Sequence, residues 1–335
     1  MNEDAIADST TSLHPVVRRP GRLRMARRRW ITVLGLSAAL GLVGNASRAQ
    51  GAGATIKVKI GIIPTLSAAP IVLGIRKGFF AAEGLDATVD TVQSAAAAVP
   101  ALLNGDLQFL ESASTPTIAA LVNKVPLKVV GNETTMNDAQ AALMVAADGP
   151  KSMSDLAGKT VAVNALRAFL QLANQAAIDK AGGDSRQVRF VELPFSDMIG
   201  ALKAGRVDAI TVPEPLISIA QAQGLRVLSP VWQALPKQAA AGWQITSAAY
   251  AKANPEVVAK FQRALRRSVV HASQQPDEVR EIIQTYMKVD PATAKRLTLA
   301  DYVPDVSVPA TEELARIMRR YGYIKGDLPD GWLIQ

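Results

Sequence analysis

The sequence predicts an α/β protein with parallel strands joined by helical crossovers, and three observations carry that reading. Residues 158–216 run strand, helix, strand, helix, strand; residues 55–146 repeat the plan; and in both arrays small polar residues follow the strand ends. Consecutive parallel strands need right-handed crossovers, and sheets of this kind take ligands at the carboxyl ends of their strands.

In the first array, Ile56, Val58, Ile60 and Ile62 alternate with Lys57, Lys59 and Gly61, which is the period of a strand. Pro70 then suits the first turn of a helix whose Ile71, Ile75 and Phe79 share one face. Gly84 closes this unit and a strand over 86–92 follows. Gln93 and Ser94 precede a small-residue helix, whose regular part is expected to open at Pro100. Asn104-Gly105-Asp106 is a turn, 107–110 a strand, and Pro116 starts a helix that runs to Asn123. Strands over 127–130 and 141–146 complete the array, and Asp148-Gly149-Pro150 breaks the pattern.

The second array opens on the β-branched strand 160–163 and continues as a helix over 165–181 that closes on Gly182-Gly183. A strand over 188–193 passes through Pro194 into a helix carrying Met198, Ile199 and Leu202. The strand 207–212 meets Pro213-Glu214-Pro215, followed by a helix over 216–223 and a strand over 225–228. Residues 236–244, PKQAAAGWQ, read as a small-residue connector. The remainder is helical: a helix starting at Asn254-Pro255-Glu256 that buries Val257, Val258, Phe261 and Leu265, then helices over 277–287, 291–297 and 310–321.

The first 49 residues read as a signal peptide. A long basic region leads to Arg27-Arg28-Arg29-Trp30-Ile31, a short apolar run over 32–43, and a small-x-small cleavage site at Ser47-Arg48-Ala49. The apolar run is shorter than the roughly 20 residues of a membrane span. The leader resembles the twin-arginine export signal, with Ala26 where Ser or Thr is usual and Thr32 where Lys is common; an ordinary secretory signal with extra arginines is the alternative. Eight arginines and three acids put +5 of the formal +8 charge in this leader, so the mature part carries +3 without a basic run. Such a charge gives no support to a nucleic-acid partner. The absence of cysteine excludes disulfides, thiolate metal sites, a Cys nucleophile and a lipid-modified Cys anchor.

Catalytic motifs are missing. His271 is the one histidine outside the leader and lies in a helix, so neither a Ser-His-Asp triad nor a His-rich metal site can be assembled. No phosphate-binding or dinucleotide loop occurs, and no metal or cofactor is expected. The reading is therefore a binder and not an enzyme. The candidate binding groups sit at four strand-to-helix junctions: Thr65, Leu66, Ser67 and Ala68; Gln93 and Ser94; Ser112, Ala113 and Ser114; Asn164, Ala165 and Arg167. Helix N-termini offer unpaired N–H groups to an acceptor atom, although the same side chains serve as ordinary helix caps. Glu214, fixed between two prolines, has three open roles: a ligand acceptor, a lysine partner across a cleft, or a cap for the helix at 216. Trp232 and Trp243 are expected to pack near the crossings rather than line a pocket. These donors favour an acceptor-rich ligand, a small organic anion such as a sulfonate or carboxylate, with nitrate behind them because it needs several positive charges. A neutral heterocycle bonded to Glu214 is the alternative, and a hydrolase or isomerase using Glu214 and a lysine is the enzymatic rival.

With these junctions placed, Ile60-Gly61-Ile62-Ile63-Pro64, Ala69-Pro70 and 77–85 (KGFFAAEGL) resemble the opening of periplasmic solute-binding proteins of ABC importers. The stretches 99–106, 155–163, 205–208 and Glu214-Pro215 are similar to the nitrate, sulfonate and taurine branch, which also includes binders of thiamine pyrimidine precursors. The resemblance implies a two-lobed type II periplasmic binding protein fold, each lobe a mostly parallel sheet flanked by helices, with a ligand cleft between the lobes. It implies a discontinuous first lobe of residues 55–147 and 244–335 and a second lobe of 148–243. It also implies a periplasmic, monomeric protein that takes a small-molecule ligand and delivers it to a membrane permease with its ATPase. Where the family often has a tryptophan before the Glu-Pro pair, this chain has Pro213.

If the twin-arginine signal operates, replacing Arg27 and Arg28 by lysine leaves precursor in the cytoplasm, as read by cell fractionation. Normal accumulation of mature protein in a strain lacking that translocase overturns it.

Overall fold

The computed structural model describes residues 55–334 apart from Ala139 and Lys288; the leader expected over 1–49 lies outside the described residues. In chain order the strands are β1 (Ile56–Ile62), β2 (Leu85–Thr91), β3 (Phe109–Ser112), β4 (Leu127–Thr135), β5 (Ala141–Val145), β6 (Thr160–Val163), β7 (Arg189–Glu192), β8 (Ala209–Pro213), β9 (Arg226–Pro230), β10 (Ala240–Ser247) and β11 (Asp301–Tyr302). The helices are α1 (Ala69–Arg76), α2 (Phe79–Ala82), α3 (Ala95–Asn104), α4 (Ser114–Val122), α5 (Phe169–Lys180), α6 (Phe195–Lys203), α7 (Leu216–Ala222), α8 (Ala248–Ala253), α9 (Pro255–Gln274), α10 (Pro276–Ile283), α11 (Pro291–Arg296) and α12 (Val308–Arg320).

Two sheets organise them. The first has the order β11-β4-β10-β3-β1-β2 and the second β7-β6-β8-β5-β9. In each, the βαβ units form a parallel trio, β2-β1-β3 and β7-β6-β8, and antiparallel strands complete the sheet. Both sheets are therefore mixed rather than mostly parallel. Two crossing strands account for this. β5, expected to finish the first array, instead pairs antiparallel with β8 and β9 in the second sheet. β10 covers much of the segment expected as a connector and pairs with β3 and β4 in the first sheet. The chain therefore enters the second sheet at Ala141 and returns to the first at Ala240. Small residues at 239–242 suit this strand because it passes close to its neighbours: a Cβ on Gly242 would stand 2.8 Å from Cβ of Ser67.

Helix starts also differ from the sequence expectation. α3 begins at Ala95, capped by Ser94 Oγ, which accepts from Ala97 N at 3.2 Å, so Pro100 lies inside the helix. α5 begins at Phe169 and not at Ala165. Leu166 N donates to Glu192 Oε2 and Arg167 N to Gln171 Oε1, and Arg167 has φ of 57°, so the segment before Phe169 is held off the helical path.

α9 shows how the core forms. Val257, Val258, Phe261, Ala264, Leu265, Ser268, Val269 and Ala272 fall on one face and are buried. Phe261 stacks on Phe109 of β3 at 3.6 Å between ring centroids, and burying an aromatic of this kind contributes about 3–5 kcal/mol against alanine. α1 crosses the same face at Gly74. A second apolar cluster is continuous across both sheets, running from Leu110 and Trp243 to Leu143, Val161 and Trp232. Trp243 lies 5.5 Å from Trp332 and Trp232 stacks on Phe169 at 4.9 Å, so both tryptophans pack as expected.

The α1–α9 contact depends on the missing side chain at Gly74, where a Cβ would stand 1.9 Å from Ser268 Oγ and 2.7 Å from its Cβ. Gly74→Ala is expected to cost about 1–3 kcal/mol in urea unfolding through overpacking, with Ser268→Gly restoring part of it. An unchanged midpoint overturns this account of the crossing.

Candidate functional site

The strand order reverses beside β1 in the first sheet and beside β6 in the second, and the carboxyl ends of strands at such points are where sheets of this kind take ligands. The four candidate junctions follow β1, β2, β3 and β6.

On the first sheet, the loop after β1 is gripped from below by Glu111, near the end of β3. Ile63 N donates to Glu111 Oε2 at 2.9 Å and Thr65 Oγ1 donates to Oε1 at 3.0 Å. From the other side, Tyr286 Oη donates to Thr65 O and Tyr302 Oη to Leu66 O, both at 3.0 Å. Ser67 Oγ and Thr134 Oγ1 share a hydrogen bond of 2.9 Å, and Ala68 is buried. Gln93 is exposed beside the capping Ser94. Ser112 accepts from Thr117 Oγ1 at 2.7 Å, and Ser114, fully buried, donates to Ala240 O at 2.6 Å. Ala113 between them is half-buried. The candidate hydroxyls of this lobe are thus already engaged within the chain.

Behind Glu111 lies a second acid. Glu133 and Gln244 are completely buried, and Gln244 Nε2 donates to Glu133 Oε1 at 3.1 Å. Burial pushes the Glu111 carboxyl up to about 8. Burial, and then the neighbouring Glu111, raise Glu133 well above the usual carboxylate range. Burial likewise raises the Tyr286 and Tyr302 hydroxyls, so both remain donors. Sequence reasoning missed these four residues. Glu111 had a signal, an acid at the end of an apolar strand. Glu133 had none, because 132–138 looked like a polar loop and its burial depends on β4 continuing through it.

On the second sheet, Asn164 is exposed and Ala165 half-buried. Arg167 does not present its charge to the crevice. Its Nη2 donates to Gly322 O, and its guanidinium lies 5.3 Å from the Tyr323 ring centroid. The same C-terminal segment holds α5, with Tyr323 Oη donating to Gln175 Oε1 at 2.9 Å and Tyr321 Oη to Asp179 Oδ2 at 2.7 Å. Glu214 accepts from Ser218 Oγ at 3.0 Å and Ser218 N at 3.3 Å, so of its three open roles it takes the helix cap, on α7. A cavity of about 330 Å³ lies between α7 and α11, lined by Pro215, Ser218, Ile219, Thr293 and Arg296 among others. Two further groups were not foreseen: Phe169 and Phe195, both half-buried, are the first residues of α5 and α6 at the β6 and β7 ends. His271 pairs with Glu278 Oε2 at 2.8 Å. Among the described residues no group of three or more His, Asp or Glu could hold a metal ion.

Two mixed sheets flanked by helices have the architecture of the two-lobed fold of periplasmic solute-binding proteins. The chain belongs to the NMT1/THI5-like family, whose model matches residues 66–279. It is 25% identical over 281 residues, 82% of this chain and 77% of the relative, to the riboflavin-binding protein RibY of Chloroflexus aurantiacus. Among solved structures it is similar to the periplasmic aliphatic sulphonate binding protein SsuA from Escherichia coli, with TM-score 0.69 and 18% identity over 82% of this chain and 95% of that one. The periplasmic nitrate-binding protein NrtA from Synechocystis PCC 6803 superposes with TM-score 0.65 and 15% identity, over 81% of this chain and 83% of its own. These family and fold relatives are binding proteins rather than enzymes.

The Ser114 bond ties the start of α4 to the crossing strand β10. Ser114→Ala is expected to cost about 1–3 kcal/mol in urea unfolding, because a buried carbonyl loses its donor. Unfolding at the wild-type midpoint would return this hydroxyl to the ligand.

Proposed function

We propose that the protein is the substrate-binding component of an ABC importer and that it captures a neutral heterocycle between its lobes. The lobes in this reading are residues 55–138 with 240–335, around the first sheet, and 140–230, around the second. The protein works outside the cytoplasm as a monomer, exported by its leader, and hands its ligand to a membrane permease with an associated ATPase.

The observation that carries the ligand class is the position of Arg167. This was the one cation expected at the junctions, and it is spent on Gly322 and Tyr323. An organic anion would then enter a crevice whose first-lobe wall rests on two buried acids, with its hydroxyls already donating elsewhere. A planar, uncharged ligand needs less: faces to rest on and a few exposed amide or backbone groups. Phe195, half-buried at the start of α6, supplies an apolar face in a chain that has Pro213 where the family often has a tryptophan, and Gln93 and Asn164 are exposed for hydrogen bonding. The riboflavin-binding relative is in keeping with this class. One observation favours the anion: Arg296 is exposed beside the cavity at α7, where Ser218 and Thr293 already serve Glu214 and Asp290.

A thermal-shift screen of flavins, pyrimidines, alkyl and aryl sulfonates, carboxylates and nitrate tests the proposal. Uncharged heterocycles are expected to stabilise the protein by about 2–3 kcal/mol at a hundredfold excess over Kd, to bind one-to-one and to be recovered unchanged. Phe195→Ala should weaken binding. Stabilisation by sulfonates alone, lost in Arg296→Ala, overturns the heterocycle. Turnover of a retained ligand, abolished by Glu214→Gln, overturns the binding role.

A further inference from the structure

The crevice wall formed by Ile63–Ser67 has no charged partner of its own; it hangs on Glu111, and behind Glu111 the hydrogen-bond inventory does not close. Gln244 stands opposite Glu111 in the β10–β3 ladder and donates through Nε2 to Glu133 Oε1. The two remaining atoms of that pair, Glu133 Oε2 and Gln244 Oε1, are buried and have no hydrogen-bond partner. Both are acceptors if Glu133 is ionised, and leaving two acceptors unpaired in the interior is costly. One proton on Glu133 Oε2 removes the conflict, since the O–H can donate to Gln244 Oε1 while Gln244 Nε2 donates back.

We propose that Glu133 is a proton-carrying positioning residue: as a neutral acid in a reciprocal pair with Gln244, it puts no charge behind Glu111, which holds the loop at Ile63 N and Thr65 Oγ1. The assignment of the proton follows the donors. Both Glu111 oxygens have donors, whereas Glu133 has one on Oε1 alone. The other groups acting on the cluster are the Tyr286 and Tyr302 hydroxyls, which donate to Thr65 O and Leu66 O, with Arg280 of α10 acting on Tyr302. That the held loop is part of a ligand site rests on the reading given under Proposed function; the proton itself does not.

The pH dependence has a definite sign. Near pH 4.5, the ordinary value, the carboxyls of the unfolded chain begin to ionise while the buried pair keeps its protons. Above that point the native state binds more protons than the unfolded one, so stability falls as pH rises, through about 8 for Glu111 and beyond.

Ligand-free protein suffices for the test. The infrared spectrum at neutral pH should contain a carbonyl stretch from protonated carboxylic acid that weakens in Glu133→Gln. Glutamine keeps a donor opposite Gln244 Oε1, so this variant should fold with near wild-type stability and show a shallower fall in melting temperature from about pH 6 to about pH 9. Protection of the Ile63 amide against hydrogen exchange should drop by about tenfold or more over that range in the wild type and stay nearly level in Glu133→Gln. Glu133→Ala should lose that protection at all pH values. An acid band of unchanged strength in Glu133→Gln, or a Glu133→Gln variant as unstable as Glu133→Ala with stability that follows sodium or potassium concentration, would show an ionised Glu133 held by a cation and overturn the proposal. Failure of the ligand screen leaves these readouts unaffected, so the two ideas fail separately.

Discussion

A buried carboxyl that holds a backbone N–H is the constraint on which the first lobe's crevice depends. Glu111 reaches from β3 to Ile63 N and Thr65 Oγ1, and so fixes where β1 gives way to α1. Thr65, Leu66 and Ser67 are then placed by Tyr286, Tyr302 and Thr134, which come from three other parts of the chain. A loop held at so many points is pre-formed before any ligand arrives, which reduces the ordering cost of binding. The same arrangement consumes the polar groups that a ligand would otherwise use.

That trade runs through the whole site. The three junctions of the first sheet place small hydroxyl residues before a helix, where they can either meet a ligand or serve the fold. In Ser94 the hydroxyl caps α3, in Ser114 it joins α4 to the crossing strand, and in Glu214 the carboxylate caps α7. Buried or half-buried polar atoms find protein partners because leaving them unpaired costs more than a single ligand contact returns. Among the candidate side chains, Gln93 and Asn164 are left exposed.

The two crossing strands explain how the lobes stay related. β5 leaves the first lobe to pair in the second sheet, and β10 returns to pair between β3 and β4. Each crossing therefore runs straight into a ladder of backbone hydrogen bonds. The apolar cluster that spans both sheets and the contacts of Tyr321 and Tyr323 with α5 add a second connection on the C-terminal side.

The sequence by itself determined the elements and their class. Alternating Ile56–Ile62, the glycines that close each unit and the prolines that open helices are local signals, set by side-chain period and backbone freedom, and they were legible without a partner. The junction positions were legible for the same reason, since a strand end and a helix start are both local events. Only the tertiary structure decided which sheet β5 and β10 join, because the pattern of a strand does not name its neighbour. It also decided what each junction residue does. Whether Arg167 faces a ligand or Tyr323, and whether Glu133 is a loop acid or a buried one, depends on segments that lie far away in sequence, and burial, hydrogen bonding and charge are properties of those neighbours rather than of the residue.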